Sequence, residues 1–318
     1  MTENEFLLQD RLAKIKSTIE KYGEENFYLS FSGGKDSTVL SALIDMALPE
    51  NKIPRVYANT GIEYRLILEF VEREREREHP WELHIIKPSV PIKPMLEMEG
   101  YPFKSKGHSE YLRRYQMSGK LTSVKQYLGE RDDKAPWSPE KSCPKSLKYQ
   151  FTDNFKMKIS DMCCVRLKEE PLRKWQKEAG RKISIIGLMT DEGGRRRSAK
   201  CLAFSGKNLK AFQPLVAVTK AWEDWFIKQY NIDICEIYKP PYNFERTGCK
   251  GCPFARHLQA ELDTLEKFFP AERKQCELIW APVYAEYRRL GYRLKQDERQ
   301  KKWHQMTVEE FLDEQNGK

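Results

Sequence analysis

Two sets of residues in this chain have types and spacings that could do chemistry. The first is Ser30-Phe31-Ser32-Gly33-Gly34-Lys35-Asp36-Ser37. Adjacent glycines let the backbone approach an anion closely and adopt dihedrals closed to other residues. The amides that open a following helix, aided by its dipole, attract phosphate. Ser32 and Ser37 add hydroxyl donors, and Lys35 can neutralise phosphate charge. Asp36 cannot bind phosphate directly, but it can hold a magnesium ion that does. The run is not a Walker loop, because the four-residue spacer before Gly-Lys is absent. Its plain alternative is a Gly-Gly connection between strand and helix.

The second set is thiol-based. Of the eight cysteines, Cys163 and Cys164 are adjacent, and Cys249 and Cys252 form a Cys-x-x-Cys. Four thiolates can hold a [4Fe–4S] cluster or a zinc ion. Spacing does not choose between them, although adjacent cysteines suit a zinc knuckle less well. Two unrelated pairs is the other reading. Cys201, Cys235 and Cys276 lack such context and read as small buried or surface residues. Cys143 lies between Lys141 and Lys145, basic residues able to lower a thiol pKa for a sulfur-carrying role. An ordinary loop cysteine is the stronger reading. His108 and His257 stand alone and read as surface or helix-end residues. Tyr101, Phe103, Lys104, Lys106, Tyr111, Arg113, Arg114 and Tyr115 mix rings with cations. They suit either base stacking or a helical lid with one wet face.

Elements must position these groups. Residues 3–22 have apolar residues near helical spacing, and Gly23 ends the run. Residues 27–31 form a bulky apolar run suited to a buried strand. The glycine loop follows, and then a helix over 38–44. Strands are expected at 55–59, 82–86 and 182–187, with a charged-faced helix over 65–78. Alternating strands and helices predict parallel βαβ units and an α/β sheet. Residues 88–160 carry many prolines and read as a helical and loop insertion, a candidate lid. A helix is expected over 219–230, with helices again from about 256 onward. The domain expectation is therefore 1–255 with its insertion at 88–160, then a helical segment over 256–318.

The chain has 318 residues, enough for a core that needs no disulfide staples. It carries 56 basic and 47 acidic residues, a formal net charge of +9. That balance favours anionic partners: a nucleotide, and weakly a nucleic acid. No apolar run approaches the roughly 20 residues of a membrane helix. The polar, acidic Met1-Thr2-Glu3-Asn4-Glu5 is unlike a signal peptide. A cytoplasmic protein, with reduced cysteines and no membrane partner, is expected.

The loop resembles the PP-loop of the adenine nucleotide α-hydrolase superfamily. Asn59-Thr60-Gly61-Ile62-Glu63-Tyr64 resembles the Asp-Thr-Gly segment of its phosphoadenosine phosphosulfate (PAPS) reductase-like branch, with Asn59 in place of the acid. Gly187-Leu188-Met189-Thr190-Asp191-Glu192-Gly193-Gly194-Arg195-Arg196-Arg197 resembles that branch's Gly-x-Arg-x-x-Glu-x-x-Arg, with Leu188-Met189 departing at the first arginine. The resemblance spans about residues 25 to 255, poorly within 88–160. It implies a Rossmann-like α/β domain that binds an adenine nucleotide through Ser30, Ser32, Gly33, Gly34, Lys35, Asp36, Ser37, Asn59, Thr60, Gly61, Gly187, Glu192, Arg195 and Arg196. Lys35 and Asp36 would be catalytic, and ATP–magnesium would be cleaved between its α and β phosphates.

Cys163-Cys164-Val165-Arg166-Leu167-Lys168-Glu169-Glu170-Pro171-Leu172 resembles the Cys-Cys-x-x-Arg-Lys-x-x-Pro-Leu segment of cluster-bearing sulfonucleotide reductases. Gly248-Cys249-Lys250-Gly251-Cys252 resembles its partner segment. This implies that Cys163, Cys164, Cys249 and Cys252 carry a [4Fe–4S] cluster, with Lys168 close by. Those reductases attack with a cysteine in a C-terminal Glu-Cys-Gly-x-His, which this sequence lacks. The resemblance therefore favours an ATP-using sulfur-transfer enzyme, with a nucleic-acid acceptor and a sulfur-donor protein as possible partners. The alternatives are a PAPS or adenosine phosphosulfate reductase with a rearranged nucleophile, and a non-enzymatic nucleotide- or nucleic-acid-binding module with structural zinc.

Overall fold

The computed structural model describes residues 2–130, 142–190 and 198–296. The described chain divides into two compact units. One is formed by residues 1–91 and 165–249, the other by residues 92–164 and 250–318.

The first unit is a six-stranded sheet flanked by helices. α1 (Glu3–Tyr22) opens with a capping box between Thr2 and Glu5. β1 (Phe27–Ser30), α2 (Lys35–Ala47), β2 (Arg55–Ala58), α3 (Arg65–Glu76) and β3 (Leu83–Ile86) then alternate. After α7 (Glu170–Glu178) come β4 (Ile183–Ile185), β5 (Leu202–Ser205), β6 (Asn208–Phe212) and α8 (Lys220–Gln229). The strand order is β3-β2-β1-β4-β6-β5, parallel except for β5 against β6. The expected α/β architecture is thus present.

Continuous burial explains the parallel centre. Phe27, Tyr28 and Leu29 of β1 are buried, as are Ile183, Ser184 and Ile185 of β4. Strands covered on both faces read as apolar runs rather than alternations. Val39, Leu40, Leu43 and Ile44 of α2 and Leu8, Ile15 and Ile19 of α1 join this core. Each such side chain stabilises by roughly 1.5–3 kcal/mol on burial. The order also places the site. From β1 the chain steps outward to β2 and β3, then returns to β4 on the other side of β1. Open α/β sheets bind ligands beyond the carboxyl ends of the strands at such a switch point. β1 delivers the glycine loop there.

The second unit is helical: α4 (Ile92–Glu99), α5 (Lys106–Ser118), α6 (Thr122–Leu128), α9 (Leu258–Phe268), α10 (Pro270–Ile279) and α11 (Ala281–Leu290). Much of the aromatic and basic mix of 101–128 is spent inside it. Phe103 is fully buried, and Tyr111 stacks on Tyr127 at 4.3 Å between centroids. His108 is not a surface residue either: it is 1% exposed. Its Nδ1 lies 2.8 Å from Tyr127 Oη and its Nε2 2.8 Å from Gln150 Oε1. A neutral ring satisfies both if Nε2–H donates to Gln150 and Nδ1 accepts from Tyr127.

Burial holds the His108 pKa down at about 4, from an ordinary 6.5, against the Gln150 hydrogen bond. Between those values the unfolded chain binds the proton that the folded chain refuses. Stability from this group is therefore complete above about pH 6.5 and falls as pH drops toward 4, by up to about 3 kcal/mol. Urea unfolding of wild type and His108→Gln across pH 4–7 should show a shallower acid slope in the variant. Equal slopes would remove His108 from the acid response.

Candidate functional site

Gly33 turns the chain between β1 and α2 with φ of +66°. A Cβ there would come within 2.8 Å of Val71 Cγ2 and 3.1 Å of Ile67 Cγ2, both on α3. The position therefore needs glycine for its backbone and for its space. Gly34 is the helix N-cap. Ser37 Oγ accepts from the Ser32 amide at 3.1 Å and donates to the Gly34 carbonyl at 2.9 Å. Ser32 Oγ accepts from the Gly34 amide at 3.2 Å. The two serines thus brace the loop before any ligand arrives, and Ser32 remains exposed. Tyr238, hydrogen-bonded to Thr247, flanks the loop: its Oη would lie 3.3 Å from a Cβ on Gly34.

Lys35, first residue of α2, reaches across to α8. Its Nζ lies 2.9 Å from Asp224 Oδ1 and 3.4 Å from Glu223 Oε2. Burial by itself would lower the Lys35 pKa, but the Asp224 hydrogen bond and the Glu223 charge leave it raised. Glu223 responds oppositely to what an ion pair alone would do. Burial, reinforced by the charge of Asp36, pushes it up to about 7 despite Lys35. One ammonium at 3.4 Å does not offset the desolvation of a side chain 1% exposed. Asp224 is therefore the stronger partner of Lys35. Neither carboxylate oxygen of Glu223 has a hydrogen-bond partner among the described residues.

The turn after β2 is held by its own carboxylate. Glu63 accepts from the amides of Thr60, Gly61 and Ile62 at 3.0, 3.0 and 3.2 Å. It also accepts from Thr60 Oγ1 at 2.6 Å. Asn59 Oδ1 accepts from the Gly61 amide at 3.0 Å. Thr60 Oγ1 lies 4.0 Å from Cys249 Sγ. Nearby, the Tyr57 hydroxyl is buried with no hydrogen-bond partner among the described residues.

Gly187 follows β4 and lies against the phosphate-loop helix. A Cβ on it would come within 2.9 Å of Asp36 C and O and 3.1 Å of the Ser37 amide nitrogen. The obstacle is backbone, which cannot swing aside. Gly187→Ala is expected to cost about 1–3 kcal/mol of stability, as overpacking does. The check is denaturant unfolding; an unchanged midpoint would mean that this close approach is not required.

The remaining candidates are placed as follows. Glu192, Arg195 and Arg196 lie outside the described residues. Lys168 sits half-buried in a π-helical turn, Val165–Glu169, that leads into α7. No disulfide links any of the eight cysteines. Cys163, Cys164 and Cys252 fall in the second unit and Cys249 in the first. Among the described residues no three His, Cys, Asp or Glu side chains form a group arranged to hold a metal ion.

The Cys143 thiol is pushed up to about 11 by burial, which outweighs Lys104 and Lys148. Cys276 gains a context that the sequence did not offer. Gly251, between Cys249 and Cys252, has φ of +61°. A Cβ there would come within 2.8 Å of Cys276 Sγ. Beside it, the Lys250 ammonium is buried and paired with Glu272 at 2.7 Å.

Glu63, Glu223, Asp224, Tyr238 and Thr247 were not singled out as site residues by the sequence. Glu63 had a signal, since it follows Asn59-Thr60-Gly61 directly. Thr247 directly precedes Gly248-Cys249, while Glu223, Asp224 and Tyr238 come from segments with no motif of their own.

Comparison with known proteins gives weak structural likeness and a clear family. A PAPS reductase from Candida auris, in a phosphate complex, is 12% identical with a TM-score of 0.41, over 76% of this chain and 95% of that one. The U34-tRNA thiolase NcsA from Methanococcus maripaludis, with its [4Fe–4S] cluster, is 17% identical with a TM-score of 0.38, over 91% and 80%. FMN adenylyltransferase from Candida glabrata, in complex with ATP, is 15% identical with a TM-score of 0.44. This chain spans 61% of that enzyme's length, using 76% of its own. At these identities and scores the likenesses say nothing of substrate. No curated protein matches the sequence significantly. The model of the phosphoadenosine phosphosulfate reductase domain matches residues 26–138 and 138–255, which is most of the chain. On that match the chain belongs to the phosphoadenosine phosphosulfate reductase domain family.

Proposed function

We propose that this chain is an adenine-nucleotide enzyme that binds ATP–magnesium at Ser32–Ser37, transfers the adenylyl group to an acceptor and supports sulfur transfer. The observation that carries the reading is the loop itself. A glycine turn braced by Ser32 and Ser37 opens α2 at the switch point of the sheet, where helix-start amides and Lys35 favour phosphate. An acceptor oxygen would bond to the α phosphorus while the bond to the β-phosphate bridging oxygen breaks and pyrophosphate leaves. Lys35 and the amides would stabilise the charge that develops on the leaving phosphates. Asp36 is the proposed holder of the magnesium ion, whose contribution when bound is to neutralise phosphate charge. Ser30, Asn59, Thr60, Gly61, Gly187, Glu192, Arg195 and Arg196 complete the proposed nucleotide set.

Cys163, Cys164, Cys249 and Cys252 are proposed as ligands of a [4Fe–4S] cluster on their sulfur donors and their sequence pattern, with Lys168 nearby. A bound cluster would supply sulfur handling or electron transfer. A nucleic-acid acceptor is favoured by the +9 charge.

Family membership favours a second reading, a sulfonucleotide reductase. Two cysteines outside the proposed ligand set fit its nucleophile poorly. Cys276 is fully buried with its thiol pushed up to about 12, and Cys143 is buried at about 11. The test is anaerobic purification with iron, sulfide and zinc analysis, then two assays: pyrophosphate release from ATP, and sulfite release from PAPS or adenosine phosphosulfate with a thiol donor. ATP-dependent pyrophosphate with iron and sulfide supports the first reading. Sulfite without pyrophosphate replaces it with the second.

A further inference from the structure

We propose that Glu223 and Asp224 form a clasp that holds Lys35 away from the phosphate loop, so that nucleotide binding proceeds by exchanging these carboxylates for phosphate on one ammonium. The inference rests on the nucleotide reading of the loop and adds two positioning residues to it.

The geometry has a fixed side and a movable side. α8 is anchored: Thr219 caps it by accepting from the Trp222 amide at 3.2 Å. Trp222 Nε1 donates to the Asn4 carbonyl at 3.1 Å, and Trp222 stacks on Phe226 at 5.3 Å. Trp222 and Phe226 are buried, so the first turn of α8 cannot withdraw without opening the core. On the other side, the backbone of Asp36 is pinned against Gly187. What remains free to change partner is the four-carbon arm of Lys35.

Charge makes the present arrangement exchangeable. Glu223 is 1% exposed and its two oxygens accept no hydrogen bond from the described residues, although Nζ stands 3.4 Å away. A buried carboxylate held only by an ion pair is a weakly satisfied partner. Asp224 makes the closer contact at 2.9 Å, but its side chain is 66% exposed, where water and salt screen the pair. A polyphosphate on the loop offers the same ammonium more negative charge and more acceptor oxygens. The clasp therefore keeps Lys35 extended and paired until a ligand of that charge arrives, and it weakens the apparent affinity for that ligand.

Removing either carboxylate charge should release Lys35 and tighten nucleotide binding. The experiment is calorimetric titration with ATP, run once with magnesium and once in EDTA, so that an effect on Lys35 is separated from one on the cation. It uses wild type, Glu223→Gln, Asp224→Asn and Lys35→Met, with both carboxylate variants repeated in the Lys35→Met background. Circular dichroism monitors folding. Asp224→Asn alters an exposed side chain and keeps the test open if Glu223→Gln misfolds. The expected result is roughly two- to fivefold tighter binding in each single carboxylate variant, the scale of a partly exposed ion pair. That gain should vanish when Lys35 is already Met.

Unchanged or weaker binding in the carboxylate variants would overturn the clasp. So would an equal gain in the Lys35→Met background, because the carboxylates would then act by repelling phosphate directly. If neither wild type nor the single carboxylate variants bind ATP with or without magnesium, the nucleotide reading of the loop fails, and the clasp with it.

Discussion

Arg55→Ala is expected to lower the unfolding free energy by about 2–4 kcal/mol, from the cavity left by a buried side chain and the acceptors left without a donor. Arg55 lies in β2 and is fully buried. Its Nη2 is 2.7 Å from Asp45 Oδ1. Nε donates to Ser41 Oγ at 3.0 Å, and Nη1 to Asn51 Oδ1 and the Ile53 carbonyl at 2.8 and 2.6 Å. The guanidinium also faces Trp81 at 4.1 Å from the ring, and His79 stacks on Trp81 at 3.8 Å. Burial lowers its pKa to about 10 against the pull of Asp45, so the charge persists at neutral pH. Alanine would leave Asp45, Asn51 and Ser41 without their shared donor and open a cavity under Trp81. Lysine would keep the charge but not the fork, and should recover only part of the loss. Urea unfolding followed by tryptophan fluorescence reads both variants. A loss below about 1 kcal/mol for alanine would mean that the network contributes little net stability.

Lys35→Ala is expected to reduce pyrophosphate release from ATP by about 10²–10³-fold, the effect of losing one preorganised charge-stabilising donor. Lys35 is the cation that heads α2 immediately after the glycine turn, and no other lysine or arginine lies within Gly33–Ser37. The circular dichroism spectrum should be preserved, because the loop is braced by Ser32 and Ser37 rather than by Lys35. A variant that releases pyrophosphate at the wild-type rate would remove Lys35 from the proposed catalytic set, whatever the fate of ATP.

The strands β1, β2 and β4 were legible because parallel strands buried on both faces are written as short apolar runs, and the half-buried edge strand β3 because Leu83, Ile85 and Ile86 make such a run too. The glycine loop was legible because its chemistry is local. The hairpin β5–β6 was not expected: Leu202–Ser205 and Asn208–Phe212 are short, half-polar and separated only by Gly206 and Lys207. α7 was also missed. Pro171 reads as a breaker, yet it occupies the first turn of that helix, where a missing amide costs nothing. Within 88–160 short helices were expected, but the prolines left their bounds unreadable, since Pro94 falls early in α4 and others fall between elements.

The limits of local reading are sharpest at Lys35. Its partner Asp224 is 189 positions away, inside a stretch that reads as an amphipathic helix and nothing more. Only the sheet order brings α8 beside α2. The burial of His108, at the start of α5, was illegible for the same cause: its partners lie at positions 127 and 150, and neither spacing is visible as a pattern.

The turn after β2 has a consequence for selectivity. Glu63 occupies three successive amides and a hydroxyl, an arrangement of donors that would otherwise suit an oxyanion. A tethered carboxylate competes at an effective concentration set by its short connection, not by the medium, and such values reach about the millimolar range or above even for flexible links. Chloride, inorganic phosphate or sulfate at cellular levels must therefore contend with an acceptor that never diffuses away. The turn behaves as a socket already plugged from within, and only a ligand anchored elsewhere on the protein gains the local advantage needed to unplug it.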